Sequence, residues 1–252
     1  MKRLFSLILL VAVHSLSAQT LHMLIVADTA DASIGSSTLE DLKHMQNKAR
    51  EIAANSGMKL NMTVLKAPEF NGTTTLAAVK KLDPGPNDTV FFYYSGHGFR
   101  THNSKTKWPN LYVKKPEPGL EYAKILEILD KKNPRLVIAL GDMCNSFSDL
   151  KSSSGTDRAF SEPQPENYKK LFVKTRGRIY ASGSKPGQFS FAMNSGGAFT
   201  NQWIRALTTE LKADNPGWKR LMTAATKPIK IGSAGQATQD PIYELVEESA
   251  PQ

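Results

Sequence analysis

The 252-residue chain has a single cysteine, Cys144, and 47 positions before it a histidine stands between two glycines, Gly96-His97-Gly98. A thiol attacks a carbonyl as its thiolate, and imidazole is the usual base that generates one. Cys144 as nucleophile and His97 as base would form a dyad for acyl transfer. Glycines beside the histidine let backbone N–H groups approach a reacting carbonyl. The N–H groups of Gly98 and Cys144 are therefore candidates for an oxyanion hole, in which one donor is worth about 3–4 kcal/mol in other enzymes. Neither residue alone is diagnostic. A lone cysteine after an apolar strand is commonly a small buried hydrophobe, and Gly-His-Gly is commonly a turn. Placement at one edge of one sheet would make them a site.

Other chemistries fit poorly. His102 is the rival base, five residues further on and without flanking glycines; His22 opens an apolar run and His44 falls in a helical pattern. No Walker-type phosphate loop occurs. Gly141-Asp142-Met143-Cys144 lacks the second glycine of a hydrolase nucleophile elbow, because Ser146 stands there. His97 and His102 have no zinc-ligand spacing, and one cysteine excludes both a disulfide scaffold and a multi-cysteine zinc site.

The elements that must carry these residues alternate. Leu21–Ala27 is a continuous apolar run, a strand buried on both faces. Ser37-Thr38-Leu39-Glu40 has the form of a capping box. A helix follows, with Leu42, Met45, Ala49 and Ile52 on one side and Gly57 as its stop. Strands are predicted at 59–65, 89–94, 136–140, 178–182 and 242–246. Helices are predicted at 75–82, around Tyr122–Leu129, from Phe199 to Leu207 and from Trp218 to Ala225. The polar stretch from Asn145 to Asn167 reads as a flexible surface loop. The pattern is α/β, with a mostly parallel sheet of about six strands covered on both faces. Ligands of such sheets bind beyond the carboxyl ends of the strands, where both Gly96-His97-Gly98 and Cys144 fall.

Composition is ordinary for a globular chain: 40% apolar, 22% charged, 17 Gly and 14 Pro. The formal charge of +9 is scattered and no run of five basic residues occurs, so nucleic-acid binding is not expected. Lys2 and Arg3, the apolar run Leu4–Val13 and the small residues Ser15-Leu16-Ser17-Ala18 have the form of a secretory signal peptide over residues 1–18. Residues 19–252 would then be one exported domain, secreted or periplasmic, with no transmembrane segment.

Tyr94-Ser95-Gly96-His97-Gly98 resembles the histidine motif of the caspase-fold cysteine peptidases, and Asp142-Met143-Cys144 resembles their cysteine motif. Gly197-Ala198-Phe199-Thr200 and Ala181-Ser182-Gly183-Ser184 are similar to the family's segments before the fourth helix and after the fifth strand. The order of elements matches over residues 21–246. The likeness is nearer to metacaspases and their bacterial, orthocaspase-like relatives than to caspases proper. An Asp stands two before the cysteine, and Glu40-Asp41-Leu42-x-x-Met45 resembles the metacaspase segment opening the first helix. The chain departs from the metacaspase motif at Asn145-Ser146-Phe147.

The resemblance implies a caspase-like three-layer sandwich. It also implies a specificity pocket formed by Asp41, Ser95 and Asp142, whose carboxylates would receive Arg or Lys before the scissile bond. Read without it, Asp41 is a first-turn acid favoured by the helix dipole and Asp142 a turn residue. No dense acidic cluster like the metacaspase calcium site is found, so no metal or cofactor is expected and calcium dependence stays open. The expectation is a monomeric cysteine endopeptidase acting on peptide or protein substrates. A caspase-fold interaction module without turnover is the alternative, supported by the altered residues after Cys144. An enzyme of basic specificity would find targets in its own chain at Lys151, Arg158, Lys169, Lys170, Lys174 and Arg176.

Overall fold

The computed structural model describes residues 18–113, 119–146, 163–232 and 237–248. Most of the predicted signal peptide, and Lys151 and Arg158, lie outside the described residues.

Six strands form the central sheet: β1 (Thr20–Ala27), β2 (Lys59–Leu65), β3 (Thr89–Ser95), β4 (Leu136–Asp142), β5 (Gly177–Ser182) and β6 (Ile242–Glu247). Their order is β6-β5-β4-β3-β1-β2, parallel throughout except for antiparallel β6. Every residue of β3 and β4 is buried, the expected state of central parallel strands. The edge strand β2 alternates exposed and half-buried residues and starts with Lys59, a polar edge that discourages further strand pairing.

Side-chain alternation sorts each strand between two cores. Leu21, Met23, Ile25, Phe91, Tyr93, Ile138 and Leu140 pack on one face, against α1 (Gly35–Ser56) and the later helices α5 (Ala198–Glu210) and α6 (Trp218–Ala225). Leu24, Val26, Val90, Phe92, Tyr94 and Val137 pack on the other, against α2 (Gly72–Lys81) and α3 (Tyr122–Lys131). The result is the three-layer α/β sandwich anticipated from the alternating pattern. Phe91 meets Trp203 of α5 edge to face at 5.6 Å, a geometry worth about 0.5–1.5 kcal/mol beyond burial. Among the described residues no helix is long and apolar enough to cross a membrane.

Three local expectations are corrected. α1 begins at Gly35, not at a Ser37 capping box. Asp31 caps the turn instead: its Oδ1 accepts from the N–H groups of Ser33 and Ile34 at 2.8 and 3.0 Å. Asp41 therefore lies well inside the helix and is 1% exposed, not a first-turn acid. The flexible loop expected from Asn145 to Asn167 is corrected only at its two ends, since residues 147–162 lie outside the described residues: Asn145 is fully buried, and α4 (Pro165–Lys169) continues as a π-helical turn over Lys170–Lys174. Lys169, Lys170 and Lys174 thus lie in helical backbone, where a protease, which needs an extended chain, has poor access. Short strand pairs also went unread, among them Gly98–Phe99 with Asn110–Leu111, and Ala192–Met193 with Gly196–Gly197.

Candidate active site

In the parallel register Ser95 lies opposite Asp142 and Ala27 opposite Ser95. The last residues of β1, β3 and β4 therefore stand side by side, and the loops that follow begin at one edge. Ser95 and Asp142 alternate in step with Tyr93 and Leu140, so both face α1 and α5.

His97 sits two residues past β3. Its carbonyl accepts from the Tyr94 hydroxyl (2.7 Å) and the Tyr112 N–H (2.9 Å). The Tyr112 ring stands edge-on to the imidazole at 6.3 Å. Nε2 lies 3.3 Å from Asp31 Oδ1 and 3.4 Å from Ser33 Oγ. Burial opposes ionisation of Asp31, but the Ser33 hydroxyl, the N–H groups of Ser33 and Ile34 and the nearby His97 outweigh it, and its pKa falls to about 2.

Cys144 follows β4. Its Sγ accepts from the Ser190 N–H at 3.3 Å and donates to the Ser190 carbonyl at 3.5 Å. Asn145 anchors the segment beyond it. Its side chain donates to the carbonyls of Lys107 and Ser184, and its backbone exchanges bonds with Gly187 and Gln188. Gly98 is pressed against the same loop: a Cβ there would stand 2.4 Å from the Cys144 carbonyl oxygen. Glycine at 98 thus lets the histidine and cysteine loops touch. His97 and Cys144 line one small cavity, of about 40 Å³, with Asp41, Ser95, Asp142 and Gly197.

The two carboxylates form the floor of that cavity. Asp41 accepts from Ser95 Oγ (2.6 Å) and the Gly197 N–H (2.8 Å). Asp142 accepts from Ser190 Oγ (2.5 Å) and from the N–H and hydroxyl of Thr200 (both 2.8 Å). Burial raises the pKa of Asp41 to about 8, with the Asp142 charge adding to the effect. Burial also raises that of Asp142, against the bonds from Ser190 and Thr200. Two buried carboxylates in one cavity oppose each other's ionisation.

All of the residues expected at the site therefore converge: His97, Gly98, Cys144, Asp41, Ser95 and Asp142. His102 is exposed and lies away from the cavity lining. Several residues around the site escaped the sequence reading. Asp31 and Ser33 reach His97 from the β1–α1 turn. Ser190 bridges Cys144 to Asp142. Thr200 closes the Gly197-Ala198-Phe199-Thr200 segment, but its clamp on Asp142 is a contact that the segment alone does not give. Fully buried Gln239 donates to the Gly183 carbonyl and Ser190 Oγ and accepts from the Phe191 N–H. The one available signal was Asp31-x-Ser33, an Asx-type turn before a helix. Among the described residues no three His, Cys, Asp or Glu side chains gather as a metal site.

A search of curated proteins finds no match. Among solved structures, protein GSU0716 from Geobacter sulfurreducens is similar in fold. Its TM-score is 0.54 at 16% identity, over 93% of this chain and 95% of the other. The family model described as the caspase domain matches residues 24–247. That match takes in the sheet except the first four residues of β1, both motif loops and the carboxylate-lined cavity, and the chain belongs to the caspase domain family of cysteine peptidases.

Proposed function

We propose that this protein is an exported cysteine endopeptidase that cleaves after Arg or Lys, with Cys144 as nucleophile and His97 as base. The observation that carries the reading is the single cavity in which the only thiol, the Gly-flanked imidazole and two buried carboxylates meet. Nε2 of His97 is turned to Asp31, which leaves Nδ1 to take the thiol proton. The thiolate attacks the scissile carbonyl, and the N–H groups of Gly98 and Cys144 receive the developing oxyanion. Collapse expels the amine, protonated by His97, and leaves an acyl-enzyme. Water, deprotonated by His97, then releases the acid and restores the thiol. Asp41 and Asp142, with Ser95 at the end of β3, would seat the side chain before the scissile bond. A guanidinium relieves the repulsion between the two carboxylates and can bond in a fork; ammonium supplies only the charge.

The test is covalent labelling of the mature protein with an Arg-directed electrophilic peptide, beside hydrolysis of Arg, Lys and Asp peptides. Labelling at Cys144, and loss of hydrolysis in both Cys144→Ala and His97→Ala with unchanged melting, is the expected result. Hydrolysis that survives Cys144→Ala overturns the mechanism. A folded protein that neither labels nor cleaves would instead be an interaction module.

A further inference from the structure

The turn between β1 and α1 contributes two polar side chains, Asp31 and Ser33, that give and take no proton in the dyad chemistry above. Asp31 Oδ1 accepts from Ser33 Oγ at 2.7 Å, from the N–H groups of Ser33 and Ile34, and faces His97 Nε2 at 3.3 Å. The hydroxyl proton of Ser33 is therefore spent on Asp31, and what Ser33 Oγ offers Nε2, at 3.4 Å, is a lone pair. Two acceptors thus converge on one ring nitrogen. A bare Nε2 would face them with no proton to share; a protonated Nε2 satisfies both. The backbone of His97 is fixed independently, by the Tyr94 hydroxyl and the Tyr112 N–H on its carbonyl. The ring can then turn about its own side-chain bonds, and the Asp31–Ser33 turn is what sets its direction.

We propose that Asp31, supported by Ser33, is the positioning residue of the site: it holds His97 with its proton on Nε2 and leaves Nδ1 bare. The role rests on the Cys144–His97 reading. When the thiol proton moves from Sγ to Nδ1, both ring nitrogens carry hydrogen and the ring is cationic. The carboxylate, ionised at any working pH because its pKa lies near 2, then faces that charge. No proton passes to Asp31. The proton on Nδ1 leaves with the amine product, and Nδ1 is bare again for the water step. In a serine-protease triad the equivalent carboxylate keeps the imidazole in its working tautomer, and its amide replacement lowers kcat by about 10⁴. Asp31 is about a quarter exposed, so solvent screening makes a smaller loss, about 10–100-fold, the expectation here.

Asp31→Asn separates this role from capping. The amide oxygen can still accept from the Ser33 and Ile34 N–H groups, so α1 starts as before, but the negative charge is gone. The proposal expects a melting temperature near wild type, kcat lowered about 10–100-fold and KM changed less than about threefold. Asp31→Ala should lose the same activity and also some stability, through the helix start. Nitrogen-15 spectra of the His97 ring provide a readout that does not need turnover. The wild-type ring should carry its proton on Nε2, and Asp31→Asn should shift population towards the Nδ1–H tautomer. A wild-type ring protonated on Nδ1, or an Asp31→Asn enzyme with wild-type kcat, overturns the proposal. Activity surviving Cys144→Ala would instead overturn the dyad reading, and the ring spectra would still decide whether Asp31 sets the tautomer.

Discussion

Asp142 does two things at once. One oxygen is held by Thr200, the other by Ser190, and the pair with Asp41 faces the cavity beside the thiol. Truncating one partner of a desolvated charged contact costs about 2–5 kcal/mol, and about 1.4 kcal/mol is a factor of ten. Asp142→Ala should therefore lower kcat/KM for an Arg peptide by a factor of about 30 or more. Alkylation of Cys144 by a small uncharged thiol reagent should change far less. An unchanged preference for Arg would remove Asp142 from the pocket and leave the dyad standing. The raised pKa of the pair gives a second expectation, with a definite sign. With the pocket empty, Asp41 is protonated up to pH about 8; a bound guanidinium favours the ionised pair. Binding must then release a proton below pH 8, so affinity for Arg peptides rises with pH until about 8 and levels off. Calorimetry of Cys144→Ala with an Arg peptide, in two buffers of different ionisation enthalpy, should detect that released proton at pH 6.5. Asp41→Asn should abolish it.

At the scale of elements, the carboxylates are within reach of a substrate only because α5 begins where it does. Gly196 has φ +110°, a conformation that L side chains rarely adopt, and Gly197 lays its N–H on Asp41. A Cβ on Gly197 would sit 2.1 Å from Asp142 Oδ2. Because that carboxylate oxygen is held by the N–H and hydroxyl of Thr200, the strain cannot relax cheaply. Gly197→Ala should cost about 1–3 kcal/mol, the range for overpacking a buried site, and lose Arg recognition while keeping the thiol's reactivity. Denaturant unfolding together with thiol alkylation separates the two effects. The same logic explains the residues after Cys144. Asn145 ties the cysteine loop to the loops carrying Lys107 and Ser184, a structural role that fills the place where the metacaspase motif has other residues.

Across the whole molecule the sheet carries the candidate site at its carboxyl end and a buried structural anchor at its amino end. At the amino ends of the strands Arg135 is 5% exposed and donates to the carbonyls of Asn87, Phe172 and Thr175 and to Thr89 Oγ1. Burial pulls its pKa down to about 10, still well above neutrality. It joins the start of β3 to the segment before β5, far along the strands from the cavity. Each buried acceptor left unpaired costs about 1–3 kcal/mol. Arg135→Ala should lose at least about 2 kcal/mol of stability with kcat and KM unchanged at temperatures where it stays folded. A variant equally stable to heat, or one with altered kcat, would contradict this division between the two ends.

The alternation of apolar runs with helical patterns was enough to give six strands, their mainly parallel order and the edge where chemistry belongs. Those properties follow from local periodicity and from the way parallel sheets must be covered. The pairing of His97 with Cys144 was legible from their placement at one sheet edge, whereas Asp41, Ser95 and Asp142 joined them only through the resemblance to the caspase-fold family. The start of α1 was not, because Ser37-Thr38-Leu39-Glu40 satisfies a local capping pattern while Asp31, further back, captures the free N–H groups. Nor was the burial of Asn145 after the cysteine, whose partners come from the loops at 107, 184, 187 and 188. Asp31, Ser190 and Gln239 belong to the same class: each acts through contacts 46 or more residues away in the chain. Periodicity reports which face a residue turns to, but contacts between separate loops exist only once the sheet has set those loops side by side. Sequence alone determined the scaffold and the sheet edge where His97 and Cys144 fall; the tertiary fold decided what stands beside the imidazole, what holds the thiol and how two buried carboxylates come to line one cavity.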